Sequence, residues 1–403
     1  MGSRWGIRRD TAAVFVVFAL NGAALGSWAP RTPALTEQVH ATPGVLGLAL
    51  LGSSVGMLSA ASLSGRLIER VGARAVVGGS TVLACIALVL VGFAPTVLLL
   101  AGALFVVGAS VGMLDVAMNV AGVEVERRTG RPVMPTLHAG FSFGALAGSV
   151  AAGFAAGHGW SPARHLTVAA VVAFLVLLPV LRDVPGARPQ HTAEAVTSPY
   201  PAPARRPVLW LLAAVALASA LAEGASSDWS ALLMVSERGV GQGAAAFAYS
   251  GFALAMALAR LGGAWTQRRF GATRALAAGA GVAAVGLLCA ALIPVAFVGY
   301  LGFALAGAGL AAAFPLALSL AGDAGKRADG TGGARELGFV TAIAYTGFLA
   351  GPPIVGGIAQ VTSLSVGFVF VAAMAAMIVP AALAARRSRR REEAAAERIP
   401  LSR

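Results

Sequence analysis

The sequence predicts an all-α integral membrane protein with twelve transmembrane helices in two pseudo-symmetric six-helix halves. Three observations predict it. The chain contains twelve apolar runs, each about the length a helix needs to cross a bilayer. A polar, proline-rich segment divides them six and six. The second six repeat features of the first at a nearly constant offset, which chance seldom gives across several helices.

Composition supports the first observation. Of 403 residues 58% are hydrophobic and only 12% charged, about half the charge of a soluble domain. The expected spans are 11–33, 43–66, 75–94, 97–122, 133–157 and 164–182. After the divide they are 208–235, 242–266, 273–292, 296–321, 335–359 and 364–385. The first run meets Pro30 and Pro33 without a small-residue cleavage pattern, so a span is expected there and not a cleaved signal. Residues 1–182 then form the first half, 183–207 a linker, 208–385 the second half and 386–403 a basic tail. The segment from Arg182 to Pro207 holds six prolines and no apolar run, which predicts a flexible linker.

Charge placement sets the expected orientation. The net charge is +13, but the basic residues are spread among apolar runs, the pattern of membrane loops and not of a nucleic-acid surface. The N-terminus carries Arg4, Arg8 and Arg9, and every second loop after it is basic. These loops hold Arg66, Arg70 and Arg74; Arg127, Arg128 and Arg131; Arg268, Arg269 and Arg274; and Lys326, Arg327 and Arg335. The opposite loops hold only Arg31, Arg164 and Arg238. Both termini and the linker are therefore expected on the cytoplasmic side. The tail from Arg386 to Arg391 is expected to anchor that topology and to meet anionic lipid.

The repeat is visible residue by residue. Gly52 and Gly251, Met57 and Met256, Arg70 and Arg269, Gly72 and Gly271, and Gly108 and Gly307 are each separated by the same 199 positions. Past the tenth span the separation becomes 207, pairing Gly140-Phe141 with Gly347-Phe348 and Gly144 with Gly351. In the first and seventh spans Asn21-Gly-Ala, followed by Trp28, answers Glu223-Gly-Ala, followed by Trp229.

The loop after the second span reads Gly65-Arg-Leu-Ile-Glu69-Arg70-Val-Gly72-Ala-Arg74. It resembles the signature loop of the major facilitator superfamily. Glu69 stands where that family usually has Asp, and Ala73 replaces a basic residue. Gly65 is expected to let helices approach, and Gly72 to permit a tight turn. Glu69 is expected to face a helix N-terminus, while Arg70 and Arg74 pair across the halves to close the cytoplasmic side. Within the superfamily the chain is similar to a MosC-like bacterial branch. The carriers are Trp28-Ala-Pro-Arg31-Thr-Pro33, Asp115-Val-Ala-Met-Asn119, Glu124-x-Glu126-Arg-Arg, His138, Phe141-Ser142 and Glu223-Gly-x-x-x-Asp228-Trp229. The resemblance implies transport of a small solute across a bacterial cytoplasmic membrane, coupled to an ion. It departs from the drug-exporter pattern in two places. Gly108 stands where a fourth-span Arg is usual, and a Gly-Pro run lies in the eleventh span, Gly347 to Gly357, instead of the fifth.

Polar residues inside the spans are few, and a buried acid must face a cavity or a partner. Glu223 lies about fifteen residues into the seventh span, roughly 22 Å along it. Rocking halves would move it between dry and wet surroundings, which suits a proton carrier. Its counterpart Asn21 cannot titrate. Asp228, nearer the outer end, and Asp115 are the further coupling candidates. Asn21, Trp28, Asn119, His138, Trp229 and Arg260 are candidates for the solute cavity, with Asp115 and Asn119 one helical turn apart. Arg260 must pair or snorkel, and Asp115 is a conceivable partner. Arg31, at the outer end of the first span, suits a headgroup, a loop or a gate. Nothing resembles a phosphate loop, a metal cluster or a nucleophilic triad. No cofactor and no enzymatic activity are expected, and the partners expected are a small solute, protons and lipid, with the chain a monomer. The runner-up reading is a proton-driven exporter of drugs or hydrophobic metabolites.

Overall fold

The computed structural model describes residues 2–130, 133–188, 202–326 and 332–397. Twelve of its helices or helix pairs are long and apolar enough to cross a membrane. A chain in hydrocarbon must satisfy its backbone polar groups internally, and helices do so within one segment. In the first half these are α1 (Gly2–Trp28) continued by α2 (Thr32–Gln38), α3 (Pro43–Val71), α4 (Ala73–Phe93), α5 (Val97–Thr129), α6 (Met134–Gly157) and α7 (Pro162–Leu181). In the second half they are α8 (Pro207–Arg238), α9 (Gln242–Phe270), α10 (Ala272–Leu292), α11 (Ala296–Leu310) continued by α12 (Ala313–Gly325), α13 (Ala334–Val361) and α14 (Leu364–Glu397).

Several helices outrun the expected spans. Helix α5 reaches Thr129, α9 reaches Phe270 and α14 reaches Glu397. Hydropathy marks only the apolar length, whereas the arginine-rich turns beyond it keep the helical hydrogen-bond ladder. The tenth span differs in the other direction, breaking between α11 and α12. Pro315 is the physical reason: it has no N–H to offer the carbonyl four residues back, Ala311.

The linker corrects its expectation at both described ends. Val184 is fully buried. Ala73 N–H donates to the Ala187 carbonyl at 2.9 Å, and Arg74 Nε donates to the Val184 carbonyl at 2.6 Å. Pro203–Arg205 forms a short 3₁₀ turn. Positions 189–201 lie outside the described residues, as do Arg131 and Arg327. As far as Glu397 the tail is no separate segment either. It continues α14, and Glu392 accepts from Arg206 Nη2 at 2.7 Å.

The sequence repeat is a repeat of packing. Gly108 on α5 lies against the Ser53 carbonyl of α3, and Gly307 on α11 lies against the Phe252 carbonyl of α9. Gly144 of α6 meets Ala19 of α1 as Gly351 of α13 meets Leu221 of α8. Gly72 and Gly271 join corresponding helices with φ of 84° and 79°, a left-handed conformation that favours glycine.

The halves meet mainly through α3 with α13 and α6 with α9. Hydrogen bonds between them run from Gly44 N to Gln360 Oε1 at 3.1 Å, Gln242 Nε2 to Glu37 Oε2 at 2.9 Å, and between the Ser149 and Ser250 hydroxyls at 2.6 Å. Ser54 Oγ donates to the Phe348 carbonyl at 2.9 Å, which Pro352 deprives of its helical donor. These contacts lie between mid-membrane and the face opposite the termini. Toward the termini the halves part. A side chain added at Gly65, Gly262, Gly263 or Gly338 would meet nothing within 4 Å.

Candidate functional site

Between the halves lies a cavity of about 340 Å³. Its wall repeats the symmetry of the fold: Met57 and Met256, Phe141 and Phe348, and Asn21 and Glu223 all line it from matched positions. Trp28, Asp115, Asp228 and Arg260 line it too. Thus one wall holds the three predicted acids and three of the six predicted cavity residues, Asn21, Trp28 and Arg260.

The charged geometry belongs mostly to the second half. Arg260 Nη2 lies 3.7 Å from Glu223 Oε1, with their side chains 37% and 26% exposed. The partner anticipated for Arg260 was Asp115. In this structure the arginine pairs within its own half, with Glu223 on the neighbouring helix α8. Asp115 instead accepts from Asn119 Nδ2 at 3.4 Å, and the same amide donates to the Asp115 carbonyl at 2.8 Å. Asp228, expected nearer the outer end, reaches the same cavity. Tyr249 lies within electrostatic reach of Glu223, Asp228 and Arg260.

Asn21 is almost fully buried and donates from Nδ2 to Met118 Sδ at 3.6 Å. His138 packs edge-on against Phe18, their ring centroids 5.1 Å apart, and Asn119 touches the wall only through its hydrogen bond to Asp115. Neither His138 nor Asn119 belongs to the cavity wall. Trp229 is corrected: it is fully buried, packed near Gly356, and forms part of the core. A Trp near the end of an apolar helix serves an interface, a cavity or a core equally well by sequence. Arg31 takes the loop role among its expected alternatives. It is 2% exposed and braces the α6–α7 turn by donating to the Trp160 carbonyl at 2.6 Å.

In the signature loop Gly72 makes the predicted turn. Gly65 has no close neighbour, and Arg74 holds the start of the linker. Arg188 Nη2 reaches the Arg70 carbonyl at 3.5 Å. The expected helix approach at Gly65 and cross-half pairing of Arg74 are thus absent here, because this face is open.

Sequence reasoning missed Tyr249, Phe252, Phe314, Tyr345 and Ser54 in the wall. Tyr249 and Tyr345 stand out among small residues, which is a usable signal. The phenylalanines carry none, being ordinary lipid-facing residues by composition.

Two homologous six-helix bundles around a central cavity with buried charge define a membrane carrier. The comparisons give its family. The model of the Major Facilitator Superfamily matches residues 13–335. An uncharacterized MFS-type transporter of Yersinia pestis is 31% identical over 354 residues, 88% of this chain and 90% of that one. The uncharacterized transporter y4wD of Sinorhizobium fredii is 34% identical over 368 residues, covering 90% and 94%. Membrane protein MosC of Rhizobium meliloti is 28% identical, covering 93% and 89%. Among solved structures, nucleoside transporter NupG superposes with a TM-score of 0.75 at 14% identity, covering 93% of this chain and 99% of that one. The E. coli fucose:proton symporter FucP gives 0.61 at 18% identity, covering 93% and 98%. The chain belongs to the major facilitator superfamily and is a transporter of that family.

Proposed function

We propose that this transporter moves a small organic solute across the bacterial cytoplasmic membrane by alternating access, coupled to protons through Glu223. One observation carries the reading: Glu223 sits in the wall between the halves, beside a counter-ion and within reach of bulk water through the open face. An acid so placed takes up and releases protons as its surroundings alternate. Asp228 and Asp115, in the same wall, are the further proton sites. The fold neighbours include a nucleoside transporter and a fucose:proton symporter, which accords with a polar solute and proton coupling.

The arginine-rich face is the cytoplasmic one, so the cavity opens inward. The whole cavity is built within one chain, which acts as a monomer. A cysteine at position 195, outside the described residues, should resist an impermeant reagent in intact cells, and ready labelling there would reverse the orientation. Met57, Met256, Phe252, Phe314 and Phe348 in the wall favour a second reading, export of a hydrophobic metabolite or drug. A panel of sugars, nucleosides and lipophilic cations in proteoliposomes with an imposed pH gradient tests both. Gradient-driven accumulation of a polar solute supports the first reading, and extrusion of the cations alone supports the second. Accumulation indifferent to the pH gradient contradicts proton coupling.

A further inference from the structure

The cavity wall is rich in rings. Seven of its 29 residues are aromatic, against 7% of the chain. Phe141 from the first half and Phe314 and Phe348 from the second are only half-buried, so part of each is open to the cavity. The same wall holds the Glu223–Arg260 pair, Asp115 and Asp228. A solute that suits this wall offers an apolar face to the rings and hydrogen-bond donors to the carboxylates.

Phe348 is fixed by three contacts. Its carbonyl accepts from Ser54 Oγ of the other half at 2.9 Å. Its ring centroid lies 6.2 Å from that of Phe314, with the planes 56° apart. Against the ring lies Gly224, where a Cβ would stand 3.2 Å from Phe348 Cδ1. Gly224 follows Glu223 directly, which brings the ring close to the acid. The matched glycine of the first half serves another end: Gly22 lies against the Phe141 carbonyl, so backbones touch there and no ring is seated. The repeat keeps the glycine, and the second half gives the space to a side chain. A ring held in place before the solute arrives loses little freedom on binding.

We infer that Phe348, seated on Gly224, is a specificity-determining residue of the cavity, and that the solute lays a planar aromatic ring against it. The inference rests on the reading that this cavity holds the transported solute, and it narrows that solute to a class. A planar ring with a polar edge meets both sides of the wall's chemistry. Its face or rim packs on Phe348 and Phe314 in the offset or edge-on geometry that aromatic pairs prefer. N–H or O–H groups on its edge reach Glu223 and Asp228, which accept. A saturated ring of the same size covers a similar area but is puckered and has no π face to match.

Matched pairs of compounds test this, titrated calorimetrically against the detergent-solubilised full chain at one pH and without a gradient. The pairs are uridine with 5,6-dihydrouridine, nicotinamide with piperidine-3-carboxamide, benzylamine with cyclohexylmethylamine, and benzoate with cyclohexanecarboxylate. In at least one pair the aromatic member should bind about threefold to tenfold more tightly than its saturated partner. For that pair Phe348→Leu, which keeps apolar bulk without a ring, should bring the two members within about twofold by weakening the aromatic one alone. Phe348→Tyr keeps the ring and should keep the preference. Gly224→Ala crowds the ring and should weaken the aromatic member about threefold, with the saturated one unchanged. If no aromatic member outbinds its partner, the inference is overturned. It is overturned as well if Phe348→Leu leaves the preference intact or weakens both members alike. A preference that depends on Phe348, beside accumulation indifferent to the pH gradient, contradicts proton coupling alone. Gradient-driven accumulation with no such preference contradicts the solute class alone.

Discussion

The two halves share a frame and differ in chemistry. Ser53 and Phe252 supply the carbonyls against which Gly108 and Gly307 pack, and Gly144 packs against the Ala19 carbonyl while its counterpart Gly351 meets Leu221 at ordinary contact distance. Yet Asn21 in the first half answers Glu223 in the second, and Asp115 answers Phe314. The first half has α5 as one continuous helix, while its counterpart is broken into α11 and α12. Backbone approach is set by small residues at fixed positions, so the repeat preserves it. The wall residues carry no such backbone constraint, and there the second half holds the ion pair while the first supplies a neutral amide and an acid.

The frame should fail equally in either half. Gly108→Leu and Gly307→Leu each force a side chain into a backbone carbonyl, at a cost of about 3 kcal/mol or more. Size-exclusion profiles in detergent should show loss of monodisperse protein for both. A well-folded Gly307→Leu beside a lost Gly108→Leu would break the claim of a shared frame. Trp229→Ala empties a core site and should cost about 3–5 kcal/mol, read as a lowered melting temperature. The solute preferred should not change, and a changed preference would return Trp229 to the cavity. Smallest is the contact joining the halves at Ser54. Removing its hydroxyl by Ser54→Ala gives up a hydrogen bond of about 0.5–1.5 kcal/mol. Spin-label distances across the face opposite the termini should then show more open molecules, and an unchanged distribution would mean the bond does not hold that face shut.

Much of this was legible in the sequence, for physical reasons. Twelve spans follow from hydrophobic length, and the repeat follows from glycines that must recur where backbones touch. Glu223, Asp228, Asp115 and Arg260 were legible because charge inside a membrane needs a cavity or a partner. Their pairing was not. Which acid Arg260 meets depends on how the two halves sit against each other, which residue order does not state. Trp229 was misplaced because a large amphipathic ring fits several sites. The break at Ala311 was legible in principle from Pro315, as was the carbonyl that Pro352 frees for Ser54. The ordered start of the linker was not, since it depends on tertiary contacts of Ala73 and Arg74 that a proline-rich composition does not announce.

The most direct measurement is solute accumulation in proteoliposomes under an imposed pH gradient, comparing Glu223→Gln with Asn21→Ala for a solute identified by the panel. The asymmetry predicts that Glu223→Gln loses concentrative accumulation about tenfold or more while retaining solute exchange at zero gradient. Asn21→Ala should retain gradient-driven accumulation within about threefold. A Glu223→Gln protein that still concentrates the solute in response to the pH gradient would contradict the account.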